Sequence, residues 1–435
     1  MLAARRAERL LMFLARVLAL ILILLACSGR SFGYSVLTHE EIVDLLWTSE
    51  IVPLLQQRFP GLTEDQIKQA HAYAYGGSVI QDLGYYPFGS KGFSDIVHYV
   101  RSGDFVQELI NQSNDANEYA FALGAMAHFV ADVDGHPAVN EAVAITYPKL
   151  RAKYGPRVTY AQDKGAHLKT EFGFDTFQVA KSRYAPEQYH DFIGFEVSES
   201  LLERVFPTVY GMDLKDALPH QDLAIGSYRW AISQLIPRMT KVALQLHKKE
   251  IMRETPNFAK RKFLYNLSRT KYEQSWGKSY ERPGCGTRFI AALLQVIPKI
   301  GPFKGLDFNN PTPKTEDLYI KSINKTVDDY RALLEKTRTN PPALPDADLD
   351  SGLPTKAGEY SLADDAFAKL VTRLADKKFD RTSPELRTSI LDFYSNAKAP
   401  TKTKENQGQW EKVLAALDQL RAAELVHVEP GNPAK

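Results

Sequence analysis

Cysteine is almost absent: Cys27 and Cys285 are the only two in 435 residues. Cys27 lies in an apolar leader, so Cys285 has no partner within the rest of the chain and no disulfide framework can form. A net charge is missing too, because 54 basic residues face 52 acidic ones and leave +2. That balance gives no argument for a nucleic-acid or membrane partner, and any partner must be sought in local patches. There is no convincing run of alternating apolar and polar residues that would mark strands, and no internal repeat. What remains is an ordinary globular composition, 44% apolar, long enough for a large core and for two units.

The first 33 residues have a basic start (Arg5, Arg6, Arg9, Arg16), an unbroken apolar run from Val17 to Ala26 and small residues at Ser31 and Gly33. The pattern is that of a secretory signal. Its apolar run is about ten residues against roughly twenty for a spanning helix, which disfavours a retained anchor. Cleavage after Gly33 would leave Tyr34 as the first residue. The stretch Leu24-Leu25-Ala26-Cys27 also resembles a lipobox, which would leave a lipid on Cys27. An exported chain, secreted or periplasmic, is expected in either case, and without disulfides it must rely on core packing, metal or both.

From Thr38 to about His247 the apolar pattern is helix after helix. Thr38-His39-Glu40-Glu41 fits a capping box, followed by Ile42, Leu45, Leu46 and Ile51 at helical spacing. Glu64 to Tyr75, Asp115 to Asp132, Tyr189 to Val205 and Leu223 to His247 read alike. Loops fall where Gly, Pro and Tyr collect, as in Gly84-Tyr85-Tyr86-Pro87-Phe88-Gly89. The residues divide into a leader (1–33), a helical unit (34–250) and a second, mainly helical region (251–435). Within that second region, 340–360 is rich in Pro, Asp and Gly and reads as a long ordered loop or a linker. Helical patterns return at Leu362 to Asp376, Ser383 to Ala397 and Gln409 to Leu425. The expected fold class is all-α.

The chemistry is carried by histidines spaced against carboxylates. His128, Asp132 and His136 are each four apart and project from one stripe of a helix. His167 and Glu171 repeat that spacing. The residues before His128 are apolar and small, from Phe121 to Ala127, so a His and an Asp on the inward stripe are costly unless bound to something. For that segment alone, a buried hydrogen-bonded His–Asp pair is the plain alternative. His39 in the first helix, Asp82 after Gly76-Gly77-Ser78-Val79-Ile80-Gln81, and His98 after Phe93-Ser94-Asp95-Ile96-Val97 add imidazoles and a carboxylate in the mixture zinc favours.

As an ordered set these residues resemble the zinc-dependent phospholipase C family, including the phospholipase C-like domain of glycosylphosphatidylinositol-specific phospholipase D. More distantly they are similar to the secreted single-strand nucleases with three zincs. The shared pattern is an early His, a Gly-Ser segment ending in Asp, an isolated His, His-x-x-x-Asp with a further His, then His-x-x-x-Glu. It runs over roughly residues 34 to 180. The resemblance implies about three zinc ions, one on Asp82, His98, His128 and Asp132, and one on His136, His167 and Glu171. The third would take His39, a bridging Asp132 and the free amine and carbonyl of Tyr34. In the family that first residue is usually Trp, so Tyr34 departs from the pattern, although the ligand atoms there are backbone. Lipid on Cys27 would remove the free amine. Asp82 is the candidate for orienting or deprotonating the attacking water.

The activity so implied is phosphodiester hydrolysis by a zinc-activated hydroxide. Phospholipid headgroups are the first choice of substrate, a nuclease or nucleotidase the alternative, and a zinc-bound helical protein without catalysis the third. No stable nucleic-acid partner is expected. Residues 248–289 carry eleven Lys or Arg against four Glu, interleaved with aromatics such as Tyr272, Trp276 and Tyr280. This mixture suits an anionic lipid surface, single-stranded nucleic acid, or a plain solvated face. Removal of residues beyond about 250 is expected to leave zinc binding largely intact. Asp95, Asp134, Asp163 and Asp175 are candidates for orienting imidazoles, with Asp163 and Asp175 read rather as surface carboxylates. His71, His190, His220, His247 and His427 are read as structural or surface residues.

Overall fold

A computed structural model describes residues 35–181, 184, 193–232, 236, 240, 308–339, 343–395 and 407–423. The leader, Cys27, Tyr34, His190, His247, Cys285, His427 and the basic aromatic stretch 248–289 lie outside the described residues.

Among the described residues are fifteen α-helices and one short antiparallel ribbon, β1 (Ala347–Asp348) with β2 (Leu353–Pro354). The helices are α1 (Val36–Leu46), α2 (Val52–Arg58), α3 (Glu64–Ser78), α4 (Lys91–Tyr99), α5 (Ser102–Asn111), α6 (Ala116–Thr146), α7 (Pro148–Tyr154) and α8 (Lys164–Ala180). They continue as α9 (Glu199–Tyr210), α10 (Leu214–Ala217), α11 (Gln221–Trp230), α12 (Pro313–Thr337), α13 (Ser361–Asp376), α14 (Pro384–Phe393) and α15 (Gln407–Ala422). The fold class is all-α, as the apolar spacing predicts. No helix of the described residues is long and apolar enough to cross a membrane.

Helix α6 is the axis of the molecule. Asp115 caps it, its carboxylate accepting from Asn117 N and Glu118 N. Its first half is small and apolar on all sides, so it is surrounded rather than laid on a surface. Helix α3, opened by a Thr63/Gln66 capping box, crosses it where glycines from both helices meet. A Cβ on Gly124 would lie 2.1 Å from the Ala74 carbonyl oxygen, and one on Gly77 would lie 1.9 Å from that of Phe121. Backbone cannot yield as a side-chain end can, so Gly124→Ala should destabilise by about 3 kcal/mol or more, despite Ala's better helix propensity. Calorimetric unfolding checks this; a Tm equal to that of the parent would mean the crossing is looser than described.

Helices α1 and α12 also pack against α6, and the Tyr330 hydroxyl of α12 donates to the Leu123 carbonyl at 2.9 Å. One apolar cluster runs from Val36 through Tyr330 and Val371 to Leu420. The boundary expected near residue 250 falls outside the described residues, but the described part of 251–435 shares a single core with the helical unit before it. This differs from the expectation that zinc binding survives removal of that region. The Pro/Asp/Gly-rich 340–360 segment is ordered in its described part, residues 343–360. It lies over α4, α5 and α6, anchored by the hydrogen bonds taken up below.

Candidate metal centre

Helix periodicity does the first step of assembly. On α6, His128, Asp132 and His136 stand one turn apart on the buried stripe, and α8 presents His167 and Glu171 in the same way. Helix α1 supplies His39, and α4 supplies His98 from its last turn. Asp82 comes from a 3₁₀ turn, Ile80–Tyr85. All eight side chains are at most 2% exposed.

The structure brings them together as three groups whose ligand-capable atoms lie within 4.8 Å of one another: His39, His128 and Asp132; Asp82, His98 and His128; His136, His167 and Glu171. The grouping differs in two respects from that implied by the resemblance: Asp132 falls outside the group of Asp82, His98 and His128, and His128 also enters the group with His39. His128 stands in two groups, its ring stacked on His39 with centroids 4.3 Å apart. Asp132 links the sets. Its Oδ1 is 3.6 Å from His39 Nε2, and its Oδ2 is 3.1 Å from His128 Nε2 and 3.5 Å from His98 Nε2. His98 Nε2 is also 3.5 Å from Asp82 Oδ1, and His136 Nε2 is 3.8 Å from Glu171 Oε1. Tyr34, the remaining ligand the resemblance implies, lies outside the described residues.

These separations test the fit to zinc. Two donors held at about 2.1 Å from one tetrahedral zinc stand about 3.4 Å apart, and most of the separations above cluster around that value. His167 Nε2 to Glu171 Oε1, at 2.6 Å, is closer than such a pair would stand. Neither carboxylate oxygen of Asp82, Asp132 or Glu171 has a hydrogen-bond partner among the described residues. Three such buried carboxylates facing imidazole nitrogens are costly without a cation between them. Imidazole with carboxylate is a donor set that suits zinc.

The electrostatics divide the rings: burial would lower His98 and His128, but the carboxylates of Asp132 and Asp82 outweigh it and hold both above the usual histidine value. Burial, then the neighbouring His128, pushes the His39 pKa well below the usual histidine value, and burial followed by His136 does the same to His167. Both rings therefore stay neutral, the form that binds metal. Burial pushes Glu171 well above the usual carboxylate range, with Asp132 and Asp82 adding to it, and lifts Asp82 as well. Asp132 goes the other way: burial would raise it, but His128 and His136 outweigh that and hold it well below.

Ring orientation is set by backbone carbonyls. His98 Nδ1 donates to Ser94 O at 2.8 Å, His128 Nδ1 to Ser78 O at 2.9 Å and His136 Nδ1 to Leu349 O at 2.6 Å. Each bond fixes the tautomer that leaves Nε2 as the free donor. The four aspartates considered for this task do other things. Asp95 pairs with Lys91 and Asp134 with Lys325, and Asp163 caps α8 by accepting from Ala166 N. Asp175 is buried, contrary to the surface reading, and accepts from Leu37 N at 3.0 Å and from the Thr38 hydroxyl. It thereby caps the start of α1, whose own Ser35 makes no side-chain cap. His71 is buried, bonded to Asp44 at 2.8 Å and stacked on Trp47, while His220 is exposed at the start of α11.

Two tyrosines escape the sequence reading. Tyr85 lies 5.8 Å from the His98 ring and 6.4 Å from Tyr160, whose ring lies 5.8 Å from His167. They form a nearly buried aromatic wall joining the two sides of the centre. The Tyr85-Tyr86 pair read only as loop composition, and nothing in local spacing marks Tyr160.

A family model described as zinc dependent phospholipase C matches residues 38–218, a span that includes all eight side chains. No curated protein and no solved structure matches the chain. Over residues 38–218 the chain is similar to the zinc-dependent phospholipase C family.

Proposed function

We propose that this chain is an exported phosphodiester hydrolase of the phospholipase C type, acting on phospholipid headgroups with about three zinc ions bound. The observation that carries this reading is the set of three buried His/carboxylate groups inside the family domain. Zinc in these groups would supply Lewis-acid polarisation of a phosphoryl oxygen and lower the pKa of water toward about 7.

The chain's own residues do the rest. With Nδ1 committed to Ser78, His128 has one free nitrogen and can serve one ion only: Asp82, His98 and His128 would hold one ion, His39 and Asp132 would contribute to a second, and His136, His167 and Glu171 would hold a third, with Asp132 linking the sets. Asp82 is on the 3₁₀ turn that ends at Tyr85. A carboxylate that holds an ion through one oxygen keeps the other to orient the attacking water. Tyr85 and Tyr160 narrow the approach and keep bulk water from the reacting phosphate. Residues 248–289, with their excess of Lys and Arg, suit contact with an anionic membrane surface.

The test is one preparation and one panel. Purified mature protein should carry about three zincs by elemental analysis and release phosphorylated headgroup from phosphatidylcholine or phosphatidylinositol vesicles, with no product from single-stranded DNA. Cleavage of DNA alone would replace the lipid reading by the nuclease one. Full zinc with no turnover of any phosphodiester would leave a metal-bound structural domain.

A further inference from the structure

Leu349 and Asp350 lie well beyond residue 218, where the family match ends, yet they touch the metal-bearing helices at several points. The Leu349 carbonyl accepts from His136 Nδ1 at 2.6 Å, and its N–H donates to the His98 carbonyl at 3.3 Å. One residue of the second region thus contacts two of the eight metal-facing residues, one on α4 and one on α6. Leu349 is fully buried, and Asp350 is 3% exposed.

Asp350 holds that peptide in place. Its Oδ2 accepts from the Tyr99 hydroxyl at 2.8 Å and from the Tyr360 hydroxyl, and its carbonyl accepts from Asn140 Nδ2 at 3.0 Å. Tyr99 follows His98 on α4, and Asn140 stands one turn after His136 on α6, so the carboxylate and carbonyl of one residue tie both helices to the loop. Asp346 anchors the entry by accepting from Gly103 N and Asp104 N at 3.0 and 3.2 Å, capping α5, whose Arg101 makes no side-chain cap. Gly352 anchors the exit. Its φ is +70°, and a Cβ there would lie 2.3 Å from the Val133 carbonyl oxygen. Pro137 lies within α6 and has no N–H to offer that carbonyl, and only a glycine can close over it at this distance.

We propose that residues 346–352 are a strap that completes the metal centre from outside the family domain, with Asp350 as the positioning residue that presents the Leu349 carbonyl to His136. The physical reason is tautomer control. With Nδ1–H held by a fixed carbonyl, Nε2 stays a free donor aimed toward Glu171; without it, the ring can rotate or take the other tautomer. The inference rests on the zinc reading, so its test must separate the two.

Zinc content and affinity of the full-length parent, Asp350→Ala, Asp350→Asn and Tyr360→Phe are measured by titration against a chelator, and Co(II)-loaded samples are followed by visible absorption. The parent should bind its full complement. Asp350→Ala should hold one metal about 10- to 100-fold more weakly, the range for loss of a group that orients a ligand, with an altered Co(II) spectrum. Asp350→Asn keeps an acceptor for Tyr99 and Tyr360 and should recover part of the loss, which a loop that merely packs would not reproduce. Folded Asp350→Ala with parental affinity and spectrum overturns the strap. If that variant does not fold, Tyr360→Phe decides: a weakened single site supports the proposal, and unchanged binding overturns it. A parent that takes up no zinc refutes the metal reading and the strap with it.

Discussion

Asp132→Asn is expected to reduce kcat/KM on a soluble phosphodiester by more than about 10³-fold, beyond the 10²- to 10³-fold typical of losing one oxyanion donor. Asn matches Asp in volume, so packing inside α6 is preserved and the change is one of charge and donor type. Asp132 is fully buried, and its two oxygens face different imidazoles, Oδ1 toward His39 and Oδ2 toward His128 and His98. An amide offers only one oxygen and places an NH₂ where the second ligand atom would be, so the group with His39 and His128 loses its only anionic member and His98 of the neighbouring group loses the carboxylate oxygen that faces it. Zinc content should fall along with rate. His220→Ala, exposed at the start of α11, is the control; His71→Ala is not, because His71 is buried against Asp44 and Trp47 and its loss costs stability in its own right. Activity of Asp132→Asn equal to that of the His220 variant, with zinc retained, would make the His128–Asp132 pair a structural hydrogen-bonded pair after all.

Why so much of this centre is legible in the sequence follows from helix geometry. Ligands four apart on α6 and α8 need no tertiary information to share a face, and the small residues from Phe121 to Ala127 announce that the face is buried. Asp175 shows a signal present but discounted: it continues the His167, Glu171 stripe by one more turn, so burial of the first two implies burial of the third. The end of α6 was out of reach for a different reason. Pro137 argues for a helix stop near Asp132 to Gly135, yet α6 runs on to Thr146, because its second half is packed into the core through the fully buried Val139, Ala142 and Val143, and that packing overrides the break. Helix α12 carries a Thr312/Thr315 capping box with Pro313 at its first position. Its charge-rich sequence, and the Thr, Ser and Glu that share its buried stripe with Ile320, Ile323 and Val327, hid the apolar period. The Leu349 carbonyl has no sequence signature at all, since a backbone acceptor is supplied by position and not by residue type.

Deleting everything after residue 250 is expected to abolish zinc uptake and cooperative folding together, the reverse of what a separable interfacial region would give. Three contacts argue for it. The fully buried Tyr330 of α12 reaches the axis helix, its hydroxyl on the Leu123 carbonyl. Tyr319 of the same helix joins Thr38 and Tyr184, next to Asp175, where α1 enters with His39. Loss of the strap removes a third element, the carbonyl that orients His136. Exposing several large apolar side chains at about 1.5–3 kcal/mol each outweighs the 5–15 kcal/mol by which a typical domain is stable. A truncated chain should therefore show no sharp thermal transition and less than one zinc by elemental analysis, and should stay inactive on short-chain soluble substrate as well as on vesicles. Survival of a folded, zinc-loaded fragment that has lost only vesicle hydrolysis would instead mean that residues 251–435 serve the lipid surface and that α12 and the strap contribute little to the core.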